Sequence, residues 1–453
     1  MSLFKKNIDL FLLLLHIALG VMVSVIPFSS KLLNLLVMGG SFLYVFSAKN
    51  KTFAILLVCA YLSISDVFFR MTSGLFLYES RKYLLIVFSL LGLFYEFSKS
   101  KGYIYIVYIV LLLSTILFTE FNLEDQVRKM IAFNLSGPIS LGVFAFYCYN
   151  RKVTMQELSR IIFYASLPVV AMLVYLYLYN PSIKEVVLST GSNFAASGGF
   201  GPNQVATTLG FAFFIFMTRL VLKKPTKTQY IFEIFLLAAF VFRGLVTFSR
   251  GGVLTGLVAA AFFIMIAFLK GNKAVVFKIN KMLVLFAFLG LGVWFYTVSQ
   301  TSGLIENRYL NQNAAGIEKK DVTTGRVDIA NLELQAFLDN PVFGLGVGKG
   351  KQYRYERTGV LAASHNEITR LLSEHGTAGL IAFFILFFTP LVFRLQNRNN
   401  IYFYSFFIFW FLTINHSAMR VAFTSFIYGL ILLDVKFERK KKVKVQKHPR
   451  KIR

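Results

Sequence analysis

Residues Thr301–His375 read TSGLIENRYLNQNAAGIEKKDVTTGRVDIANLELQAFLDNPVFGLGVGKGKQYRYERTGVLAASHNEITRLLSEH. This stretch is polar and charged, whereas long apolar runs precede and follow it. It is too long for a turn between two helices, and loops of this length in compact proteins are usually functional or disordered. Its glycines and its proline alternate with apolar residues, which favours a folded loop. The stretch therefore predicts a structured loop between two sets of apolar helices.

The rest of the chain is strongly apolar. Of its 453 residues, 56% are hydrophobic and 51 are phenylalanine, and the mean hydropathy is +0.64. Apolar runs of about 17 to 20 residues match the helix length that a hydrocarbon core of about 30 Å requires, whereas the strands of a membrane β-barrel alternate and are shorter. We therefore predict an all-α polytopic membrane protein with about 12 to 14 transmembrane helices and one long outward-facing loop that contains short helices. The runs lie near residues 9–26, 32–48, 53–69, 83–97, 103–118, 131–149, 160–179, 204–222, 230–248, 253–269, 282–299, 376–394, 401–416 and 421–435.

These runs divide the chain into four regions. Residues 1–299 form the first part of a helical bundle, 300–375 the long loop, 376–435 the last membrane helices and 436–453 a basic tail. The first apolar run has no clear cleavage site after it, so we expect an uncleaved helix. Both cysteines lie inside apolar runs and are interpreted as buried packing residues.

The charge distribution is typical of a membrane protein. The net charge is +27, but the basic residues cluster at alternate ends of the apolar runs and ten of them lie in the tail Lys436–Arg453. Such clusters set topology and contact anionic membrane lipids, so we expect no nucleic-acid partner. With the N-terminus inside, the positive-inside rule places the tail in the cytoplasm and the long loop outside.

Several arginines break this rule. Arg70, Arg81, Arg250 and Arg420 lie on the predicted outer side, and Arg243 lies inside the ninth apolar run. An arginine in or near a membrane span usually faces a polar cavity or a partner. Because guanidinium binds two phosphate oxygens at once and stays charged, the outer arginines predict an anionic ligand. At this position a lipid-linked diphosphate is a better candidate than a nucleotide.

Two motifs place an arginine beside glycine. Thr247–Gly252 joins two apolar runs, and its glycine pair would permit a tight turn with positive φ and close backbone approach. Exposed amides beside Arg250 would make an anion site, although a plain turn with an arginine reaching water fits equally well. Gly325-Arg326 opens an amphipathic helix over Val327–Leu338, where Arg326 would face either anions or solvent.

The end of the long loop carries two further motifs. Asn340–Gly348 has three glycines at a spacing of two and favours a compact apolar turn that acts as scaffold. In Ser364-His365-Asn366-Glu367, Ser364 or Asn366 can cap a helix, and Ser364-x-x-Glu367 fits a capping box. Capping leaves His365 unexplained, so it is a candidate base or hydrogen-bond donor.

Other polar residues have simpler interpretations. Asn203, after Gly201-Pro202, is a candidate N-cap that would alternatively touch sugar or phosphate. His16, His416 and Asp66 are single polar groups in apolar runs and are interpreted as structural, and His375 as a helix-start residue. The chain has no cluster with metal-ligand spacing and no phosphate-binding P-loop motif.

Taken in order, these motifs resemble the O-antigen ligase and polymerase superfamily of bacterial envelope polysaccharide assembly. The resemblance covers about residues 198–395. It rests on Gly-Pro-Asn203 at a helix entry, Ser249-Arg250-Gly251-Gly252 between two helices, Gly325-Arg326 followed by the glycines of Asn340–Gly348, and His365-Asn366-Glu367 before a helix with Gly376 and Gly379. Each motif alone is weak, whereas the ordered set with a long outward loop is fairly specific.

The resemblance implies an integral glycosyltransferase of the bacterial inner membrane, active at the periplasmic or extracellular face. Such enzymes move a glycan from an undecaprenyl-diphosphate carrier to another lipid-linked glycan, to lipid A-core or to a protein hydroxyl. Arg250 and Arg326 would bind the donor diphosphate, and His365 would act on the acceptor hydroxyl or the leaving group. Neither a metal nor a cofactor is expected. The candidate substrate-binding residues are Asn203, Ser249, Asn366, Arg70, Arg81 and Arg420.

Two other classes of function compete with this one. A small-solute transporter of the same helical class is the main alternative, and Arg243 within an apolar run is the feature in its favour. A structural membrane anchor would leave the outer arginines unexplained. The motifs do not separate a polymerase from a ligase.

Overall fold

A computed structural model describes residues 2–96, 101–123, 125–223, 225–321, 323, 325–359 and 363–437, with backbone alone for residues 2–7. All fourteen apolar runs are helical in it, which confirms the all-α fold. Most of the predicted basic tail, residues 438–453, lies outside the described residues. The helices of these runs are Ser2–Val25 (α1), Ser29–Ser47 (α2), Lys51–Met71 (α3), Ser80–Glu96 (α4), Ile104–Ser114 (α5), Val127–Cys148 (α6), Met155–Tyr179 (α7), Pro202–Leu222 (α9), Lys227–Leu245 (α10), Arg250–Lys270 (α11), Lys273–Gln300 (α12), Glu367–Gln396 (α16), Phe403–His416 (α17) and Ala422–Ile431 (α18).

Ten of these helices in the described part of the chain are long and apolar enough to cross a membrane. The other four are α4, α5, α17 and α18. The prediction of 12 to 14 spans therefore exceeds the ten that length and composition support. The difference is clearest for α17 and α18, which have 14 and 10 residues and span only about 21 Å and 15 Å. These two helices meet at residues 417–421, on the same side of the bundle as the long loop.

The long loop is folded, as predicted. Its described residues contain three helices, Leu304–Tyr309 (α13), Arg326–Asp339 (α14) and Gly350–Thr358 (α15), and a further short helix, Ile183–Val186 (α8), lies before α9. The predicted helix over residues 327–338 is α14, which packs on the first turns of α16.

Two short strands tie together the opposite end of the bundle. Lys152–Thr154 (β1) follows α6, Asp434–Lys436 (β2) follows α18, and the two pair in parallel. Both connections are on the predicted cytoplasmic side. The turn between α10 and α11, the entry to α9 and the long loop meet at the other end, so the described helices alternate in the way that the charge pattern predicted.

The turn between α10 and α11 differs from its predicted geometry. The residue with positive φ is Phe248, at 58°, whereas Gly251 and Gly252 lie in the first turn of α11. The prediction that the glycine pair adopts positive φ is therefore wrong, but close backbone approach is the reason for glycine here. A Cβ on Gly252 would lie 2.5 Å from the Thr207 amide nitrogen of α9, and one on Gly251 would lie 3.0 Å from His416.

Gly252→Val is expected to destabilise the protein, because the α9–α11 contact has no room for a side chain. Overpacking of this kind lowers the free energy of unfolding by about 1–3 kcal/mol. The measurement is the thermal unfolding midpoint of the purified protein in detergent. Gly290→Val is the matched control, because a Cβ on Gly290 of α12 meets nothing within 4 Å. Equal midpoints for the two variants would contradict the packing argument.

A kink in α16 joins the loop to the membrane helix. Gly376 has φ 56° and ψ −136° in the middle of this helix. The predicted turn Asn340–Gly348 sits against the kink: Leu345 N donates to Ser373 O (2.8 Å) and Gly346 N to Glu374 O (3.1 Å). A Cβ on Gly344 would lie 2.7 Å from the Gly376 nitrogen. The glycine-rich turn therefore has a scaffold geometry, in which it holds the first turns of α16 in place.

Candidate active site

A cavity of about 340 Å³ opens where the loop folds over the turn between α10 and α11. Its walls come from the entry to α9, the start of α11, the helices α13 and α14, the segment 363–366 and the end of α17. Six of the nine predicted site residues line it, although they are far apart in sequence: Asn203, Ser249, Arg250, Arg326, His365 and Asn366.

Three arginines line the cavity. Arg250 is the first residue of α11, Arg326 the first residue of α14, and Arg308 belongs to α13. Arg308 Nε donates to the Phe248 carbonyl (3.2 Å), and Arg250 Nη1 donates to the Arg308 carbonyl (3.4 Å). These contacts hold Arg250 and Arg308 next to each other, and Arg326 lines the same cavity.

The arginine cluster is electrostatically unfavourable without an anion. Burial lowers the pKa of Arg326, and the charge of Arg250 lowers it further. Burial, Arg250 and Arg326 together lower the pKa of Arg308. Among the described residues, no carboxylate lies within 4.0 Å of the Arg308 or Arg326 guanidinium. Two phosphate groups would offset this repulsion, since bidentate binding of oxyanions is what guanidinium does best.

Arg308 was not singled out from the sequence. It lies on the predicted outer side, so the criterion that selected Arg250 also applied to it. Unlike Arg250, it lies within a polar stretch, so it does not break the surrounding pattern. Gly303, with φ 80° at the start of α13, is the turn signal that would have marked the helix carrying it.

Asn203 connects the walls of the cavity. It is the second residue of α9, after the N-cap Gly201 and Pro202, so the interpretation as an N-cap is wrong. Its side-chain oxygen accepts a hydrogen bond from Ser249 Oγ (2.8 Å) and a longer one from Arg326 Nη2 (3.5 Å). Asn203 and Ser249 therefore help to orient Arg326.

His365 lies opposite the arginines on an irregular segment before α16. Its half-buried ring has no hydrogen-bond partner among the described residues. Burial lowers its pKa to about 4, with further contributions from the positive charges of Arg420 and Arg326. The imidazole is therefore neutral at physiological pH, and a ring nitrogen is available to accept a proton.

The cap of α16 is Asn366, not Ser364. The Asn366 side-chain oxygen accepts hydrogen bonds from Ile368 N (2.8 Å) and Thr369 N (3.4 Å). The capping box Ser364-x-x-Glu367 is therefore wrong. Ser364 Oγ instead donates to Glu333 Oε2 (3.2 Å), which ties the segment carrying His365 to α14.

Glu333 is a second residue that the sequence did not single out. Its carboxylate bonds Arg354 Nη1 at 2.6 Å and accepts hydrogen bonds from Thr369 (2.5 Å) and Ser364. It joins α14, α15, the start of α16 and the segment that carries His365. A buried carboxylate with three partners on different segments is a positioning element, and neither its partners nor its burial are visible from local sequence.

Two of the predicted substrate-binding arginines have partners within the protein. Arg70 Nε bonds Asp66 Oδ1 (2.7 Å), and the guanidinium stacks on the Tyr78 ring at 3.8 Å. Arg81 is fully buried and donates to Asn34 Oδ1 (2.6 Å). Neither lines the cavity, and both side chains are bonded within the protein. Their assignment to substrate stays a prediction.

Arg420 lies in a neighbouring cavity. It belongs to the turn between α17 and α18, and its Nη2 donates to the Ser364 carbonyl. It therefore approaches the same segment as His365 from the other side.

The single polar residues in apolar runs are bonded within the protein, as interpreted. His16 bonds the Leu12 carbonyl and Tyr61, His416 bonds Thr207 Oγ1 (2.9 Å), and Asp66 bonds Arg70. His375 is an exception, because it lies at the kink of α16 rather than at a helix start, with Nδ1 2.6 Å from Thr115 Oγ1.

The fold and this cavity define a class: a multi-pass helical membrane protein that assembles a cluster of arginines and a neutral histidine beneath a folded loop. Residues 234–384 match a family model described as O-antigen ligase, and this match supports the resemblance to the O-antigen ligase and polymerase superfamily. The matched segment contains Arg250, Arg308, Arg326 and His365, while Asn203 lies before it. No curated protein matched the chain.

This family assignment supports a membrane glycosyltransferase of the O-antigen ligase or polymerase type. It implies a lipid-linked glycan and an acceptor as substrates, and with ten apolar spans it indicates a multi-pass bacterial membrane protein.

Proposed function

We propose that the protein transfers a glycan from an undecaprenyl-diphosphate carrier to an acceptor hydroxyl at the outer face of the bacterial inner membrane. The observation that carries the proposal is the cluster of Arg250, Arg308 and Arg326 around one cavity, with His365 on the facing wall. The cluster suits a diphosphate, and a neutral imidazole suits deprotonation of a sugar hydroxyl.

The reaction is a displacement at the anomeric carbon. A bond forms from the acceptor oxygen to this carbon, and the bond from the carbon to the diphosphate oxygen breaks, with its electron pair leaving on the diphosphate. The acceptor proton passes to a ring nitrogen of His365. The arginines stabilise the negative charge that develops on the leaving group, which preorganised cations do well in a cavity that excludes water. In this proposal the guanidinium groups supply this positive charge and no metal ion is required.

The remaining site residues position these groups. Asn203 and Ser249 orient Arg326 through the Asn203 side-chain oxygen. Asn366 caps α16 next to His365 and reaches Asn415 Oδ1 (3.2 Å). Val327, Ile329 and Ala330 of α14 form the apolar part of the wall, where the first isoprene units of the carrier would pack.

A glycan transfer assay tests the proposal. The purified protein in lipid nanodiscs is supplied with an undecaprenyl-diphosphate-linked glycan and an acceptor, and transferred glycan and released undecaprenyl diphosphate are both measured. Equal amounts of the two products are expected. Release of the carrier without a glycosylated acceptor would contradict a transferase and indicate a hydrolase.

His365 is expected to produce an acid limb in the pH profile. Its pKa of about 4 keeps the free enzyme's imidazole neutral above that value, so kcat/KM stays level from neutral pH down to about 5 and falls as pH drops through about 4. A bound diphosphate offsets the arginine charges, so the corresponding limb of kcat moves to higher pH. His365→Gln is expected to lower kcat by about a hundredfold or more and to remove both limbs.

Far-ultraviolet circular dichroism over the same pH range serves as the folding control for that profile. The assignment of His365 fails if His365→Gln retains an acid limb at the same pH.

A deletion strain separates a polymerase from a ligase. Loss of chain length with single repeats still attached indicates a polymerase, and accumulation of unattached lipid-linked polymer indicates a ligase.

The feature that favoured a transporter, an arginine within an apolar run, has a structural explanation. Arg243 is buried and donates to the carbonyls of Leu176 (3.0 Å) and Ala196 (2.9 Å), which gives it a structural role between α7, α10 and the entry to α9.

A further inference from the structure

A second cavity of about 350 Å³ lies beside the first, on the other side of the segment 363–366. Its walls come from the start of α6, the residues 348–354, the first turns of α16 and the turn between α17 and α18. We propose that it binds the phosphate groups of a second lipid-anchored glycan, the acceptor. The inference rests on the proposed function of the first cavity, which it extends from the donor to the acceptor.

The second cavity is positively charged. Five basic side chains line it, against the two carboxylates of Glu367 and Glu374. Those carboxylates pair with one of the five, since Arg370 bonds Glu367 and also bonds Glu374 at 2.9 Å. The basic side chains are Lys129, Lys351, Arg354, Arg370 and Arg420.

The cations that remain available for a ligand are at the mouth and along one wall. Lys129 and Lys351 have exposed side chains and no ion pair among the described residues. Arg420 Nη2 donates to the Ser364 carbonyl, a contact that uses one of its five N–H donors. Two lysines and an arginine converging on one space fit a phosphate-bearing ligand better than a neutral glycan.

The rest of the wall is apolar, so the ligand should be an amphiphile. Met130, Phe133, Pro138 and Met419 line the cavity beside the cations. Phe133 is 45% exposed, and it continues the lipid-facing surface of α6 to the cavity mouth. A phosphate group on a hydrocarbon chain would contact both the basic and the apolar residues of this wall, whereas free phosphate would contact only the basic ones.

The position of the two cavities assigns the second ligand to the acceptor. Ser364 lines the second cavity, while its neighbours His365 and Asn366 line the first. Glu333 lines the first cavity and is paired with Arg354, which lines the second. Substrates bound on both sides of this segment would extend their sugars to the same histidine. That is the arrangement that a transfer between two lipid-anchored glycans requires.

Binding stoichiometry tests the inference. The protein is placed in nanodiscs of phosphatidylcholine and titrated separately with undecaprenyl diphosphate and with lipid A, which carry the same phosphate chemistry on different anchors. The variant Lys129→Ala/Lys351→Ala/Arg420→Gln probes the second cavity, and Arg250→Ala/Arg326→Ala probes the first. Lys184→Ala/Lys320→Ala is the matched control, because these exposed lysines line neither cavity.

Two results support the inference and identify the source of the phosphates. Two bound molecules of undecaprenyl diphosphate, with each site variant losing a different one, mean that the acceptor has the same carrier as the donor. One bound undecaprenyl diphosphate and one bound lipid A, with lipid A lost in the second-cavity variant, mean a lipid A-type acceptor. In both cases the binding that the variant retains shows that it is folded.

Two results overturn the inference while leaving the proposed function intact. In the first, the second-cavity variant binds undecaprenyl diphosphate and lipid A as the unsubstituted protein does, while Arg250→Ala/Arg326→Ala no longer binds undecaprenyl diphosphate. The second is equal displacement of the second-cavity ligand by phosphatidylglycerol, which would make the cavity a general contact for anionic lipid. Undecaprenyl diphosphate that still binds fully to Arg250→Ala/Arg326→Ala would instead contradict the proposed donor site.

Discussion

Replacing Arg326 by alanine should lower kcat for glycan transfer by about a hundredfold to a thousandfold, the loss expected when one preorganised group that stabilises transition-state charge is removed. Arg326 begins α14 beside the free amides of that helix, and its guanidinium faces the same cavity as Arg250 and Arg308. In the alanine variant, the negative charge that develops on the diphosphate would therefore no longer be stabilised by this cation or by its bidentate contact. The assay is glycan transfer by the purified protein with saturating donor.

Two further substitutions test whether the loss of activity is specific to the guanidinium group of Arg326. Arg326→Lys retains a charge but not the planar fork, so it should recover only part of the activity. Arg357→Ala is the matched control in the same loop, because Arg357 is 46% exposed and pairs with Asp339 on the surface. Activity of Arg326→Ala equal to that of Arg357→Ala would remove Arg326 from the proposed site.

The second large effect concerns stability. Glu333→Ala removes the carboxylate that faces Arg354, and both side chains are nearly inaccessible, at 2% and 4% exposure. Breaking a buried ion pair from one side typically lowers the free energy of unfolding by about 3–5 kcal/mol, because the remaining charge loses its ion-pair partner on that side. Denaturant titration in detergent, followed by near-ultraviolet circular dichroism, should show this loss.

Asp339→Ala provides the matched control for Glu333. It removes an ion pair from the same helix, but the Asp339 and Arg357 side chains are about half exposed, so the expected loss is about 1 kcal/mol or less. Glu333→Ala/Arg354→Met should be more stable than Glu333→Ala alone, since it removes the buried charge as well. Equal stability of Glu333→Ala and Asp339→Ala would show that the buried network does not hold the loop.

The features predicted correctly from sequence are those encoded by local pattern. Each helical run was found because its apolar length is a local property, and α14 because Gly325 and an amphipathic repeat mark its start. The roles of Arg250 and His365 stay predictions, although both residues line the same cavity. They stood out because each breaks the surrounding pattern: one is a cation on the outer side of a membrane run, and the other is a histidine that capping leaves unexplained.

The features that were missed depend on partners distant in sequence. The contact between Arg81 and Asn34 was not foreseen, because the two residues are 47 apart in the chain and nothing in either local sequence indicates the pair. Gly252 was explained by turn geometry, whereas the backbone of α9 is what excludes a side chain there. Asn203 looked like a cap because asparagine favours that position, yet its side chain is bonded to Ser249 across the cavity.

The kink at Gly376 bears on the height of the proposed reaction relative to the bilayer. The part of α16 beyond the kink ends at Gln396 and is about 30 Å long, close to the thickness of the hydrocarbon core. In the proposed orientation the kink would lie at the hydrocarbon boundary, and the turns before it, which begin next to His365, would lie at the level of the lipid headgroups. A diphosphate at the end of a polyprenyl chain lies at this same depth. In that orientation the length of α16 beyond the kink would set the distance between the predicted cytoplasmic surface and the sugar bond, and a change in bilayer thickness would shift the proposed catalytic residues relative to their substrate.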